Sequence, residues 1–218
     1  MIRSLWRYAL GWRYRLLARR YDSLVLEWVL GQPLLVLPQV FNPRLLRTGQ
    51  FLVESLDARL IPPGARVLDL GTGSGVGAIF AARWADSVVA TDINPAAVRC
   101  ARINALLSGL EQHIEVRQGD MFGPVRADTF DVVLFNPPYY RGTPRNALDR
   151  AWRGIDVVER FAAELRDHLV SGGHALVVLS TDGEQEAFLN AFEVNGLNVQ
   201  VVVRRDLINE VLTVYRLC

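Results

Sequence analysis

Asn136-Pro137-Pro138-Tyr139 is the stretch of this 218-residue chain best suited to chemistry. The side-chain oxygen of Asn136 and the carbonyl of Pro137 form a pair of hydrogen-bond acceptors, and Tyr139 adds an aromatic face. Such a set can hold a planar NH2 group still while a methyl group is delivered to its nitrogen. The residues just before it, Phe130-Asp131-Val132-Val133-Leu134-Phe135, form a short apolar, β-branched run that reads as a buried strand. Asn136 is therefore expected where a strand ends, with the two prolines barring helix and ladder alike. In open α/β sheets, ligands collect at the carboxyl ends of the strands. Taken alone, the four residues read first as a tight loop with a capping Asn.

Upstream residues change that balance. Val67-Leu68-Asp69-Leu70-Gly71-Thr72-Gly73-Ser74-Gly75 is a strand running into a glycine-rich turn that opens a helix. A dinucleotide site is the competing reading, but the third glycine counted from Gly71 and Gly73 is Val76, and counting from Gly73 gives only Gly75 and Ala78. Asp69 puts a carboxylate beside the glycines, unfavourable for a pyrophosphate and favourable for an amino-acid ammonium group. Asp92 ends the next strand, about twenty residues on, where a carboxylate binds ribose hydroxyls. Asp120 follows the third strand and is placed to accept from an adenine amino group, with Ile93 and Met121 as apolar walls. Any one of these acids reads as a solvated loop residue or a cap. Jointly they describe a site for S-adenosylmethionine, with its ammonium near Asp69 and Gly71, its ribose on Asp92 and its adenine near Asp120. A sulfonium methyl is already activated, so no metal or covalent nucleophile is needed. His113, His168 and His174 fall at strand or helix flanks and receive no role.

The elements that position these residues alternate. Strands are expected over Arg66–Leu70, Val88–Thr91, Ile114–Gln118, Phe130–Phe135 and His174–Leu179, and helices over Val76–Trp84, Pro95–Leu107, Asp149–Leu169 and Glu184–Val194. Gly172-Gly173 is read as the end of the third of these helices, and Asn195-Gly196 as the end of the fourth. Val199–Val203 and Val211–Leu217 follow as two strands without a helix between them. This order predicts an α/β, Rossmann-like mixed sheet of seven strands whose last pair is an antiparallel hairpin. Two parts are expected: residues 1–61, a helical N-terminal extension and cofactor lid, and residues 62–218, the S-adenosylmethionine-binding domain. Within the first part, Gly31–Pro43 reads as an extended, irregular connection and Thr48–Leu60 as a helix ahead of the Pro62-Pro63-Gly64 turn.

Composition narrows the setting. Half of the residues are hydrophobic and the net charge is +1, as for a globular domain with a full core. Every basic side chain other than histidine is Arg. Cys100 and Cys218 lie far apart without metal or redox spacing, which favours a reducing cytoplasm. No apolar run reaches the length of a membrane span, and no signal peptide is read at the start. The first twenty residues carry Arg3, Arg7, Arg13, Arg15, Arg19 and Arg20 among Leu5, Trp6, Leu10, Trp12, Leu16 and Leu17, and no acid precedes Asp22. This segment reads as an amphipathic helix packed on the core, or as a cationic grip for RNA or an anionic surface.

Over roughly residues 40 to 218 the chain resembles the class I S-adenosylmethionine-dependent methyltransferases, and Asn136-Pro137-Pro138-Tyr139 resembles the signature of their amino-group methylating members. It is most similar to the HemK-like enzymes that methylate a glutamine amide in peptide release factors. Ala151-Trp152-Arg153-Gly154, Val157 to Phe161 and Asn209 to Val214 resemble the compact archaeal and eukaryotic form. The resemblance implies a lid with a proline and a threonine, matched by Phe41-Asn42-Pro43 and by Thr48 as a cofactor contact. The acidic residues usual between those positions are replaced by Arg44, Leu45, Leu46 and Arg47. Asn136, Pro137 and Tyr139 are the catalytic residues so implied. Thr48, Asp69, Gly71, Gly73, Gly75, Asp92, Ile93, Asp120, Met121 and Asn136 are the cofactor-binding ones.

A protein glutamine amide is then the expected acceptor, possessed by a peptide release factor, with a small activating protein as a further partner and no stable membrane insertion. The same tetrapeptide also suits the exocyclic amine of adenine or guanine in RNA or DNA, which would need a basic surface or base flipping. A non-catalytic scaffold is disfavoured because glycine loop and acceptor tetrapeptide are both complete.

Overall fold

The computed structural model describes residues 23–44, 47–143, 149, 153–207 and 210–218. The first twenty residues, Leu45, Leu46, Ala151, Trp152 and Asn209, to which the sequence reading gave roles or resemblances, lie outside that set.

Short runs of buried β-branched and aromatic residues build a seven-stranded sheet. Its strands are β3 (Arg66–Leu70), β4 (Ser87–Asp92), β5 (Ile114–Gln118), β6 (Phe130–Phe135), β9 (Leu169–Ser180), β10 (Val199–Asp206) and β11 (Val211–Leu217), ordered β10-β11-β9-β6-β3-β4-β5. Neighbours from β9 to β5 pair in parallel, while β11 runs antiparallel to both β9 and β10. Along β3 and β6 successive side chains serve opposite faces. Val67, Val132 and Leu134 join one core, and Leu68, Leu70, Val133 and Phe135 join the other. Both faces are covered, which is why these strands read as continuous apolar runs. One layer holds α1 (Thr48–Ser55), α2 (Val76–Ala81) and α3 (Pro95–Leu107), and the other holds α4 (Val157–Glu164) and α5 (Gln185–Val194).

The chain lays down β3, β4 and β5 outward in one direction and then returns to place β6 on the other side of β3. The crevice at the carboxyl ends of β3 and β6 is thus a topological switch point, where ligands of open α/β sheets sit. Asp69 lies in β3, and Asn136 directly follows β6.

Three expectations change. The irregular connection expected over Gly31–Pro43 begins instead as the second strand of a two-stranded antiparallel hairpin, β1 (Val25–Val29) and β2 (Gln32–Val36), turning at Leu30-Gly31. The continuous Leu/Val composition hid its alternation, and Pro33 argued against a strand. Proline is tolerated there because β2 pairs with β1 alone. Second, the helix expected from Asp149 begins at Val157, because Arg153–Gly154 (β8) pairs in parallel with Tyr140–Arg141 (β7). Ile155, inside the expected helix but ahead of the observed one, is 63% exposed. Third, Gly172-Gly173 does not end a helix but bulges within β9. Leu169 pairs with Phe130 and His174 with Val132, so the extra residues loop out. A Cβ on Gly173 would sit 3.0 Å from the carbonyl oxygens of Phe130 and Val170, so close approach demands glycine there.

Candidate active site

The Asp69 loop is assembled from backbone conformations that the glycines permit. Gly71, Gly73 and Gly75 all have positive φ, and Gly75 is the left-handed residue from which α2 starts. Gly75 meets a second demand: a Cβ there would lie 3.1 Å from Ala101 Cα, so α3 packs directly on the start of α2. Asp69 is buried beneath this turn. Its Oδ2 accepts from the Thr72 hydroxyl at 2.5 Å and from the Ala78 amide at 2.8 Å, stitching strand, loop and helix together. Burial pushes its carboxyl up to about 6, opposed by those two hydrogen bonds and helped by the charge of Asp92.

Asp92, the last residue of β4, accepts from the Gly73 amide at 2.9 Å through Oδ2 and from the Asn94 amide at 2.8 Å through Oδ1. Burial raises its pKa as well. Asn94 in turn caps α3 by accepting from the Ala96 amide, with Pro95 in the first helical position. Asp120 is half exposed and bound to Arg160 of α4, Oδ2 to Nη1, at 2.8 Å.

Asp69, Gly71, Gly73, Asp92, Ile93, Asp120, Met121 and Asn136 all line one cavity of about 330 Å³. Four residues singled out in the sequence do not: Thr48, Gly75, Pro137 and Tyr139 lie behind or beside its wall. Thr48 is buried at the start of α1, and its hydroxyl bonds the Tyr139 hydroxyl, which donates to Asn136 Oδ1 at 3.0 Å. Burial pushes the Tyr139 phenol well above its ordinary value, so it stays neutral.

The cavity also draws on residues that the sequence reading named only within resemblances or not at all. Gln39 and Phe41 close it from the segment after the hairpin, Arg153 and Gly154 from β8, and Arg160 from α4. Two further lining residues, Ser74 and Thr91, carry buried hydroxyls without a hydrogen-bond partner among the described residues. No spacing signal could have announced them, because each is placed by long-range pairing. Gly154 alone left a trace: a Cβ on it would meet Val157 at 2.2 Å and lies 3.6 Å from Pro138. The three histidines are absorbed by structure, bonding the carbonyls of Asp86, Asp128 and Leu60.

An acid, a glycine turn, a second acid ending the next strand and an amide at the switch point thus face one cavity. A family model for the methyltransferase small domain matches residues 33–205, most of the chain. The chain belongs to the methyltransferase small domain family. A release factor glutamine methyltransferase of Gloeobacter violaceus is 33% identical over 195 residues, covering 79% of this chain and 66% of that one. The chain spans 44% to 59% of three other relatives, two named for release factors and one for ribosomal protein uL3. Among solved structures, the Thermus thermophilus 16S rRNA N2 G1207 methyltransferase in complex with AdoMet and guanosine superposes with a TM-score of 0.68 at 23% identity, over 89% of this chain and 50% of that one. The Encephalitozoon cuniculi Mtq2–Trm112 complex, which methylates the termination factor eRF1, superposes with a TM-score of 0.61 at 22% identity, over 82% and 98%. At these identities the structural matches establish the seven-stranded methyltransferase fold.

Proposed function

We propose that this chain is an S-adenosylmethionine-dependent N-methyltransferase whose acceptor is a protein glutamine side-chain amide of the release-factor type. The observation that carries the reading is Asn136, held by Tyr139 at the carboxyl end of β6 and facing the cavity that the Asp69 loop closes from the other side.

The residues suit the methyl donor. Gly71 leaves open space beside it, the nearest atom to an added Cβ being 4.0 Å away in Phe135, so the backbone presents itself without a side chain between. The unpartnered hydroxyls of Ser74 and Thr91 are donors and acceptors in want of a ligand. Asp69 takes the ammonium, Asp92 the ribose hydroxyls through its remaining lone pairs, and Asp120 the adenine amine, with Ile93 and Met121 as walls. When bound, S-adenosylmethionine supplies a methyl group on a positively charged sulfur, and the C–S bond electrons leave with that sulfur as the C–N bond forms.

The chain's own residues then orient the nitrogen. An amide nitrogen is a poor nucleophile because its lone pair is delocalised. Asn136 Oδ1 has two lone pairs; one receives Tyr139, and the other accepts an N–H of the acceptor amide. The Pro137 carbonyl, beside the cavity wall between the lining residues Asn136 and Pro138, takes the second N–H. Both acceptors gain strength as positive charge develops on the nitrogen, and the proton departs to water after transfer.

The relatives' names favour a protein amide over a nucleobase, and a net charge of +1 gives little grip on a polyanion. The Mtq2–Trm112 likeness supports a small activating partner for this chain too. A translation-factor acceptor would place the work in the cytoplasm, with residues 1–61 as extension and lid and 62–218 as the transferase domain. The test is incubation with methyl-labelled S-adenosylmethionine and a release factor carrying its termination loop, beside total RNA. Label in protein that disappears when the acceptor glutamine is replaced supports the reading; label only in RNA overturns it.

A further inference from the structure

The β1–β2 hairpin presents an apolar face that nothing in the described structure covers. Leu26 and Leu35 are cross-strand partners, as are Trp28 and Pro33, so these four share the side opposite the buried Val29 and Leu34. Leu24, Leu26, Trp28 and Leu30 are each about half exposed or more, with Leu26 at 57% and Trp28 at 53%. β2 lies along α3: the Leu35 amide donates to Asn104 Oδ1 at 2.8 Å, and Gln32 Nε2 donates to Ser108 Oγ at 3.1 Å. That contact brings the hairpin turn beside the end of α3, where Ile103, Leu106 and Leu107 are exposed as well. The hairpin and the end of α3 thus bring two groups of exposed apolar side chains near one another, a concentration that marks an interaction surface.

On the hairpin and on α3 themselves the exposed charges are arginines, the exposed acid next in sequence being Glu111 beyond the end of α3. Arg44 donates to the Trp28 carbonyl at 2.9 Å, and Arg99 and Arg102 stand exposed on α3. Glu27 is the one acid in residues 23–44; it is buried on the inner face and accepts from Asn42. α3 contains no acid. The sequence leading into Leu24 adds six arginines, with Trp6, Tyr8, Trp12 and Tyr14, before its first acid at Asp22. Apolar side chains, an exposed tryptophan and arginines without acids are what an anionic lipid surface binds, and neither signal alone holds a protein there stably. An RNA would leave the leucines without a partner.

We propose that the outer face of the β1–β2 hairpin and the exposed end of α3 form a peripheral docking surface for an anionic membrane. The chain rests on the surface: no helix among the described residues is long and apolar enough to cross a membrane.

The experiment is co-sedimentation of the nuclease-treated full chain with vesicles of phosphatidylcholine alone or with about one third phosphatidylglycerol. Binding to the anionic vesicles, weakened by salt and lowered at least about tenfold in Leu26→Ser/Trp28→Ser, is the expected result. Both replaced side chains are exposed, and an unchanged melting temperature and unchanged S-adenosylmethionine affinity certify the variant's fold. No sedimentation of the unaltered chain with anionic vesicles overturns the proposal, as it would if the first 22 residues or another protein occupy this face. Equal sedimentation of chain and variant overturns it too, assigning the binding to the arginine-rich start alone.

Discussion

The Tyr139 hydroxyl donates to Asn136 Oδ1 at 3.0 Å while itself accepting from the Thr48 hydroxyl. A tyrosine read from sequence as an aromatic platform for the acceptor thus works from behind the cavity wall, fixing which way the Asn136 amide faces. Replacing Tyr139 by Phe keeps the ring and removes that restraint. The expected outcome is a fall of about ten- to a hundredfold in kcat, with S-adenosylmethionine affinity unchanged, because misorientation costs rate before it costs binding. Thr48→Val should act in the same direction and more weakly, and Thr48→Ser should recover most of the rate. A change confined to KM for the acceptor would show that Tyr139 contacts substrate instead.

Gly77 tests the Asp69 anchor. It lies in α2, where a Cβ would sit 2.5 Å from Asp69 Oδ1 and 2.8 Å from its Cγ. Asp69 cannot yield freely, since Thr72 and Ala78 hold its other oxygen. Gly77→Ala, normally favourable in a helix, should therefore destabilise by about 1–3 kcal/mol and lower the melting temperature by several degrees. Calorimetry on the variant, with and without S-adenosylmethionine, reads both the fold and the loop. A raised melting temperature would mean that Asp69 has another place to go.

Why Asp69, Asp92 and Asn136 could be read from sequence and Arg160 could not is a matter of range. The first three each end or follow a strand whose apolar run is contiguous in sequence, and the parallel sheet places such ends side by side. Arg160 reaches Asp120 across 40 residues, from a helix whose start was itself misplaced. The misplacement arose because Arg153–Gly154 pairs with Tyr140–Arg141, a two-residue strand with no periodicity to detect. Likewise the hairpin at residues 25–36 hid because its outer face is as apolar as its inner one, which erased the alternation that announces a half-buried strand.

Arg160 supplies a third prediction. Its ion pair with Asp120 is largely exposed, so its removal should change stability by less than about 0.5 kcal/mol. Both residues line the cavity, and the pair holds the carboxylate that the adenine amine would meet. Arg160→Gln should accordingly weaken S-adenosylmethionine about three- to tenfold with an unchanged melting temperature, and Arg160→Lys should fall between. Titration calorimetry checks it. Unchanged affinity in the Gln variant would confine Arg160 to the surface.

Asp69 makes cofactor affinity depend on pH in a way whose sign is set by its surroundings. Burial raises its folded pKa to about 6, above the ordinary 3.8. For the free protein, this group's contribution to stability is fully present below the unfolded value and is lost as pH rises through about 6, because the folded state holds the proton longer. A bound ammonium group reverses the preference, since it favours the ionised carboxylate. Binding then expels a proton wherever Asp69 was protonated beforehand, and affinity should be flat above about pH 7 and decline by up to about tenfold per pH unit below pH 6. Dissociation constants measured from about pH 5 to pH 8, in buffers of different ionisation enthalpy, report both the slope and the released proton. Burial raises the pKa of Asp92 as well, so Asp69→Asn is the control: it should bind more weakly at neutral pH and lose the proton release. A variant that keeps the full acid-side slope would move the titration to Asp92 and leave Asp69 as a purely structural anchor of the loop.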